Sequence, residues 1–169
     1  MSISASEARR TLFPLIEQVN DDRTAVEIVS RKGNAVLMSA DEYAAWQETA
    51  YLFRSPANAR RLLDAYERAR EGRVEEHDLI RGGTEVRLAW DPSAWEDYTC
   101  WQAADRRVLK RVNALIDACL RDPFGGIGKP EQLRYGATGA WSRRITEEHR
   151  LVYLVDGDDL VILQARYHY

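Results

Sequence analysis

The stretch "WSRRITEEHRLVYLVDGDDLVILQARYHY" (141–169) decides the fold of the second half of this chain. Its apolar and β-branched runs are separated by charged turns, which predicts three strands, at 140–146, 150–156 and 160–166. The sequence then closes with "RYHY" (166–169). Chain ends usually fray, so a histidine between two tyrosines at this place needs an explanation.

The residue pattern of the first two strands predicts their register. An odd loop of three residues, 147–149, pairs Thr146 with Arg150 and keeps polar and apolar side chains on separate faces. An even loop would put Arg150 among the apolar residues, because a one-residue slip exchanges the faces of a strand. We therefore expect Arg144 and Arg150 to lie together on a polar face. A solvent-exposed face carrying scattered arginines is the alternative interpretation.

Helices precede these strands in the sequence. A strand at 86–90 and helices at about 92–101 and 105–121 lead into the loop "DPFGGIGKPEQL" (122–133). The pattern predicts an α+β fold, with helices segregated from a mainly antiparallel sheet. The loop lacks the Walker spacing, so its glycines only weakly indicate phosphate binding.

The first half begins with a helix and a hairpin. The spacing of Ser4 and Glu7 matches a capping box and predicts a helix that continues to about Val19. The β-branched runs in "TAVEIVSRKGNAVLMS" (24–39) then predict a hairpin, since Gly and Asn at its centre suit a tight turn.

Two further helices are expected, at about 41–49 and 56–71, and the composition then changes. "EGRVEEHDLI" (71–80) is acidic with few apolar anchors, as in segments that fold against a partner. "RGGTE" (81–85) carries the strongest linker signal in the chain.

The composition is that of a globular protein: 169 residues, 45% hydrophobic and 30% charged. The apolar stretches are far shorter than the roughly 20 residues of a membrane helix, and no signal-peptide pattern follows Met1. We therefore expect a cytoplasmic protein that has no membrane partner. Cys100 and Cys119 have neither a disulfide context nor metal-ligand spacing, so we expect no metal and no other cofactor.

The net charge of −3 conceals an asymmetry, because residues 106–150 carry ten Lys or Arg against five Asp or Glu. Such a local excess of positive charge can attract a polyanion. A solvated surface of mixed charge is the alternative.

The polar sheet face and its edges collect an acid, a base and several cations. They are Glu131, Arg134, Arg144, Arg150 and His168. Cleavage of RNA through its 2′-hydroxyl needs these parts and no metal: a base for the hydroxyl proton, cations for the phosphate and an acid for the departing 5′-oxygen. Taken singly, each is more often a surface carboxylate, a solvated arginine or a terminal packing residue.

Three separated motifs, "GKPEQL" (128–133), "WSRRITEEHRLVY" (141–153) and the closing "RYHY", resemble the YoeB family of bacterial toxins. The similarity runs from Val86 to Tyr169 and includes "LAWDPSAWEDYTCWQ" (88–102). YoeB toxins belong to the RelE superfamily of ribosome-dependent endoribonucleases. The resemblance implies a microbial-RNase-type fold, with two helices on an antiparallel sheet, that cuts mRNA in the ribosomal A site without a cofactor.

The resemblance also implies roles for six residues. Glu131 would be the general base, Arg150 the phosphate stabiliser and His168 the general acid. The residues that would complete the site are Arg134, Arg144 and Tyr169. Of these, Tyr169 could stack on or position a base. Arg134 stands where relatives often carry Lys, which keeps the cation and changes its geometry.

The first half resembles a second family. "SASEARRTLFPLIEQV" (4–19), "VLMSADEYAAWQETAYLFRSPANARRL" (36–62) and "HDLI" (77–80) are similar to YefM, of the Phd/YefM antitoxin superfamily. The resemblance implies a unit that dimerises, binds operator DNA and represses, and whose C-terminal portion wraps the toxin. The residues expected to contact DNA are Arg9, Arg31 and Lys32.

Together the resemblances predict a fused toxin and antitoxin that inhibits itself. Its expected parts are a DNA-binding and dimerisation domain (1–53), a toxin-wrapping segment (54–80), a linker (81–85) and a toxin domain (86–169). The expected anchors of the wrapping segment, near the active site, are Val74, Leu79 and Ile80. One alternative is a DNA-binding repressor whose nuclease-like domain is an inactive corepressor. Another is a structural module with neither activity.

Overall fold

The computed structural model describes residues 1–77 and 88–169. The predicted anchors Leu79 and Ile80 and the predicted linker 81–85 lie outside the described residues. The chain divides into two compact units, Met1–Gln47 and Glu48–Tyr169. The second unit therefore begins ahead of the expected domain boundary between residues 53 and 54.

The first unit is a small sheet with helices. Its elements are β1 (Ser2–Ser4), α1 (Ala5–Arg10), α2 (Leu12–Asp21), β2 (Val26–Val29), β3 (Ala35–Leu37) and the start of α3 (Ala40–Arg54). Strand β2 lies in the middle of the sheet, parallel to β1 and antiparallel to β3. The core consists of Ala8, Leu15, Val19 and Val26. The hairpin β2–β3 confirms the prediction for 24–39, and β1 was not predicted.

The single helix predicted to run from Ser4 to Val19 is divided at Thr11. The Ser4 hydroxyl accepts a hydrogen bond from the Glu7 amide at 3.2 Å, as a capping box requires. Pro14 explains the division, because it has no N–H to donate to the Arg10 carbonyl and its ring collides with that carbonyl in a continuous helix. The chain therefore starts a new helix, α2, with Pro14 in its first turn.

The second unit contains a six-stranded sheet. Its elements are the end of α3, α4 (Pro56–Arg70), β4 (Glu75–Glu76), β5 (Leu88–Trp90), α5 (Pro92–Ala104), α6 (Arg106–Arg121), β6 (Glu131–Gln132), β7 (Trp141–Arg144), β8 (Arg150–Asp156) and β9 (Asp159–Gln164). The strand order is β4-β5-β9-β8-β7-β6. Only the pair β5–β9 is parallel among the described strands of this sheet. The α+β prediction is confirmed.

Helices cover both faces of this sheet. On one face, α5 and α6 pack through residues such as Tyr98 and Leu115 onto strand residues that include Leu151. On the other face, Leu52 of α3 and Leu62 of α4 belong to a second core with further strand residues, among them Val152, Val161 and Leu163. The end of α3 and all of α4 thus form one layer of the second unit.

The hairpin β7–β8 has the predicted faces and a different register. Arg144, rather than Thr146, pairs with Arg150. The loop is 145–149, because the amides of Ile145 and Thr146 both donate to the His149 carbonyl, at 3.0 and 3.3 Å. The loop remains odd in length, and Arg144 and Arg150 therefore share a face as expected. The expectation that this face is polar is wrong, because Val152 on the same face is buried in the second core.

The buried Arg143 organises the glycine-rich loop. Its guanidinium donates to the carbonyl oxygens of Asp122, Gly125 and Ile127, each at 2.7 Å, and to the Tyr153 hydroxyl at 3.0 Å. A buried charge is stable only when its hydrogen bonds are satisfied, so this loop must keep its carbonyls turned toward Arg143. The loop therefore packs around Arg143, which agrees with the weak indication of phosphate binding in its sequence.

Gly128 belongs to the same arrangement. Its φ is +84°, and a Cβ at this position would lie 2.6 Å from Leu115 Cδ2 and 3.2 Å from Arg143 Cβ. Only glycine fits this backbone conformation and this space without strain.

Substitution of Arg143 by Met is expected to lower the free energy of unfolding by about 3–5 kcal/mol, because three loop carbonyls lose a charged donor. Urea unfolding measures this change. Arg144→Met is the matched control: the neighbouring arginine is exposed, and we expect a change within about 0.5 kcal/mol. Equal effects of the two substitutions would contradict the structural role of Arg143.

Within the part of the chain that the structure describes, no helix is both long and apolar enough to cross a bilayer.

Candidate active site

Arg150, the predicted phosphate stabiliser, is buried and paired with a carboxylate. It is 5% exposed, and its Nε lies 2.5 Å from Glu48 Oε1. Its NH1 group donates to the carbonyls of Thr146, Glu147 and His149 at 3.0–3.3 Å. The turn that ends β7 therefore fixes the guanidinium, and Glu48 balances its charge.

Glu48 lies in α3 and is itself 5% exposed. Besides Arg150, it contacts the Ser142 hydroxyl, which donates to Oε1 at 2.9 Å. Removal of one partner from a buried, hydrogen-bonded ion pair leaves an uncompensated charge. The contact between α3 and the sheet thus depends strongly on this carboxylate.

Tyr51 follows one helical turn after Glu48 and also contacts Arg150. The Arg150 Cζ lies 4.5 Å from the centre of the Tyr51 ring. The same ring stacks on Tyr167, with centroids 4.9 Å apart. The Tyr51 hydroxyl donates to the Glu148 carbonyl at 2.8 Å, and burial raises the pKa of this hydroxyl.

His168, the predicted general acid, is held through its backbone and its ring. Its amide donates to Asn58 Oδ1 at 2.9 Å, and its carbonyl accepts from the Ser55 hydroxyl at 2.9 Å. The ring Nε2 lies 2.8 Å from Asp97 Oδ1. Asp97 also pairs with Arg61 of α4, at 3.1 Å. The end of the chain is therefore bonded to α4 and α5.

The predicted Glu131, Arg144 and Arg150 share one face of the sheet. Glu131 is in the edge strand β6, opposite Ser142 of β7, and Arg144 is opposite Arg150. Residues directly opposite one another on paired strands point to the same side. Because Val152 is opposite Ser142 and belongs to the second core, this is the face that α3 and α4 cover.

The other two predicted site residues lie nearby. The Arg134 amide donates to the Thr49 hydroxyl at 2.9 Å, so its backbone also contacts α3. Tyr169 is 82% exposed and packs edge-on against Tyr167, with ring centroids 5.2 Å apart.

The predicted anchor Val74 lies elsewhere. Val74 packs against the second core, and the residues after it form β4 at the edge of the sheet opposite to β6. Val74 therefore lies toward the opposite edge of the sheet from Glu131, which is in β6, and its expected role as an anchor near the active site stays a prediction. A two-residue strand paired with β5 holds this part of the chain in place.

Residues upstream of that stretch contact the predicted site, and the sequence pattern did not predict them. They are Glu48, Tyr51, Ser55 and Asn58. Glu48 and Tyr51 lie one helical turn apart on α3, and Ser55 caps α4, whose first turn contains Asn58. This spacing in "ETAYLFRSPAN" (48–58) was the available signal.

The predicted DNA-contacting residues are all exposed. Arg9 lies in the last turn of α1, and Arg31 and Lys32 lie in the turn between β2 and β3.

His149 was also missed, and it binds the C-terminal residues. Its Nδ1 accepts the Tyr167 amide at 3.2 Å, which requires this nitrogen to be unprotonated. The ring packs edge-on against Trp101. Burial lowers the pKa of His149.

We expect stability to fall as the pH drops below about 6.5, the unfolded-state value for histidine. Because the folded-state pKa of His149 is lower, the unfolded chain binds the proton first, and the contribution of His149 is present above pH 6.5 and lost below it. Urea unfolding at pH 7.5 and 5.5 measures this dependence. His149→Asn, which keeps an acceptor and does not titrate, should show a smaller decrease than the wild type. An equal decrease in both proteins would contradict the assignment.

Two family models match the chain in succession. The model of the Phd_YefM antitoxins of type II toxin-antitoxin systems matches residues 1–72. The model of the YoeB-like toxins of bacterial type II toxin-antitoxin systems matches residues 90–169.

Individual relatives follow the same division. Toxin YoeB of Escherichia coli K12 is 52% identical over 84 residues, which are 50% of this chain and 100% of that protein. Antitoxin YefM of Streptomyces coelicolor is 65% identical over 80 residues, which are 47% of this chain and 92% of that protein. A chain from the solved YoeB-YefM complex of Staphylococcus aureus is 40% identical and covers 51% of this chain and 100% of its own length, with a TM-score of 0.49. The chain therefore belongs to both families, and it joins a Phd/YefM antitoxin to a YoeB toxin in one polypeptide.

Proposed function

We propose that the toxin part is a ribosome-dependent mRNA endoribonuclease that the antitoxin part of the same chain keeps silent. The observation that carries this proposal is the pair formed by Glu48 of the antitoxin part and Arg150 of the toxin part. The Glu48 carboxylate already pairs with the guanidinium that an RNA phosphate would have to bind. A chain in this state binds no substrate at Arg150.

The proposed reaction is metal-independent transphosphorylation. Glu131 takes the proton of the 2′-hydroxyl, and the 2′-oxygen attacks the adjacent phosphorus. Arg150, with Arg134 and Arg144, stabilises the charge that develops on the phosphate. The bond from phosphorus to the 5′-oxygen breaks, and His168 protonates that oxygen, which leaves a 2′,3′-cyclic phosphate. The shared sheet face of Glu131, Arg144 and Arg150 supports these roles.

Inhibition involves contacts from the antitoxin segment to two proposed catalytic residues and to the carboxylate that holds one of them. Glu48 pairs with Arg150, Ser55 and Asn58 bond the backbone of His168, and Arg61 pairs with the Asp97 carboxylate that holds the His168 ring. Activation then requires α3 and α4 to leave the sheet. We propose that residues 48–61 are the neutralising segment.

The first unit is proposed to dimerise and to repress transcription by binding operator DNA. Apolar side chains on α2 are exposed, among them Phe13 at 80% exposure, which supports pairing with a second copy. The exposed cations Arg9, Arg31 and Lys32 support phosphate contacts with DNA.

Comparison of the intact chain with a fragment of residues 86–169 in translating extracts tests the nuclease proposal. Mapping of mRNA ends should reveal cleavage within ribosome-bound messages by the fragment and little cleavage by the intact chain. Equal rates for the two would overturn self-inhibition. Absence of cleavage by a folded fragment would overturn the nuclease assignment.

The burial of Arg150 also supports the second candidate, a repressor with an inactive nuclease-like domain. In a chain that never opens, RNA cannot reach Arg150, and the domain would not cleave it. Operator binding that is lost in Arg9→Ala, combined with a fragment that neither cleaves mRNA nor arrests growth, would select this candidate.

A further inference from the structure

Glu48 and Tyr51 contact one arginine from the same side of α3. The Glu48 carboxylate lies 2.5 Å from Arg150 Nε, and the Tyr51 ring centre lies 4.5 Å from Arg150 Cζ. Residues three apart on a helix are neighbours on its surface. One helical turn therefore presents an anion and a flat ring to the toxin together.

The surroundings of the carboxylate suit a phosphate. Oε1 of Glu48 contacts the Arg150 guanidinium and accepts a hydrogen bond from Ser142 at 2.9 Å. A guanidinium together with a hydroxyl donor is a common arrangement for binding phosphate oxygens.

The surroundings of the ring suit a nucleobase. Tyr167 stacks on Tyr51 at an interplanar angle of 30°, and its own position is fixed because it is 4% exposed and its amide donates to His149. Unpaired bases are held by stacking on aromatic rings and on arginine guanidinium planes. Tyr167 and Arg150 offer both kinds of surface to one ring.

We propose that Glu48 and Tyr51 occupy a nucleotide subsite of the toxin, with the carboxylate in place of a phosphate and the ring in place of a base. Tyr167 and Arg150 are the base-stacking residues of this subsite. Its ligand is one nucleotide of single-stranded RNA. This inference rests on the proposed function only for the identity of the substrate as RNA.

The test measures binding to intact chains by calorimetry, with adenosine 5′-monophosphate and ribose 5-phosphate as matched probes that differ only in the base. The wild-type chain should bind neither probe. In Glu48→Ala the closed arrangement still predominates, so Tyr51 fills the position of the base and both probes should bind with similar affinity. The double variant Glu48→Ala/Tyr51→Ala should bind adenosine 5′-monophosphate about 5- to 150-fold more tightly than ribose 5-phosphate, the ratio expected for one stacked base.

Substitutions of Tyr167 in the double variant identify the stacking surface. Tyr167→Leu, which keeps apolar volume and loses the flat ring, should abolish the preference for the nucleotide. Tyr167→Phe should retain it, since only the hydroxyl contact with the Tyr51 carbonyl is lost. Circular dichroism checks folding, and Tyr51→Val is the alternative double-variant partner if the alanine chain unfolds.

Equal affinities for the two probes in the open double variant, or binding of neither, would overturn the subsite, as would a preference that survives Tyr167→Leu. The nuclease proposal fails separately. If the chain prefers the nucleotide and cleaves no ribosome-bound mRNA, the subsite proposal stands and the nuclease proposal is wrong. If the chain cleaves mRNA and shows no preference for the nucleotide over ribose 5-phosphate, the subsite proposal is wrong and the nuclease proposal stands.

Discussion

Glu48→Ala in the intact chain is expected to raise mRNA cleavage by about 150- to 5,000-fold. Both members of the Glu48–Arg150 pair are 5% exposed. Removal of one partner from such a pair costs about 3–5 kcal/mol, chiefly because the other charge stays buried without compensation. This cost falls on the closed arrangement, in which α3 covers the sheet. The open population then rises by the corresponding factor.

Cleavage of ribosome-bound mRNA in translating extracts, together with growth after induction, measures this release. Glu48→Gln should release the nuclease less, since the amide oxygen still accepts hydrogen bonds from Arg150 and Ser142 while the charge is lost. Glu67→Ala is the matched control, because this carboxylate is on α4, beyond the neutralising segment 48–61, and is exposed. A Glu48→Ala chain that stays as silent as Glu67→Ala, while the 86–169 fragment is active, would show that this carboxylate does not hold the chain closed.

Sequence patterns predicted the faces of the toxin sheet well, because alternation along a strand is a local property. The odd loop length placed Arg144 and Arg150 together, as the structure has them. The register itself was missed, since it depends on which amides the His149 carbonyl accepts. No residue pattern reports that choice.

Contacts between distant segments were harder to predict. Arg143 is buried because loop carbonyls some 16 to 21 residues earlier turn toward it, and the alternation in "WSRR" (141–144) alone does not distinguish it from the exposed Arg144. The division at Thr11 was predictable, because Pro14 cannot continue a helix that includes Arg10.

The neutralising segment illustrates the same difficulty. The acidic composition of 71–80 drew attention to Val74, whereas the residues that contact the predicted site lie in helices of ordinary amphipathic composition. Helical spacing shows that Glu48 and Tyr51 share a side of α3. It does not show that this side faces Arg150, because that depends on the sheet as a whole.

A catalytic role of His168 can be distinguished from a packing role, because most of the bonds that hold this residue come from its backbone. Its backbone amide and carbonyl bond Asn58 and Ser55 whatever its side chain is, and the side chain adds the contact with Asp97. The side chain is 25% exposed, so His168→Ala should lower the free energy of unfolding of the intact chain by no more than about 1 kcal/mol. If His168 only packed the end of the chain, its substitution would change the cleavage rate as little as it changes the stability.

In the released Glu48→Ala background, His168→Ala is therefore expected to reduce the rate of mRNA cleavage by about 10²- to 10⁴-fold, the usual contribution of a general acid. The loss should appear in the rate at saturating ribosomes, because the 5′-oxygen needs a proton only as its bond to phosphorus breaks. Nucleotide binding by the Glu48→Ala/Tyr51→Ala chain should be unchanged by the same substitution, since Tyr167 and Arg150 are retained. A cleavage rate within threefold of the parent would mean that His168 donates no proton in the reaction. Weaker nucleotide binding with an unchanged rate would instead make His168 a residue that positions the substrate, and another group would then have to be the acid.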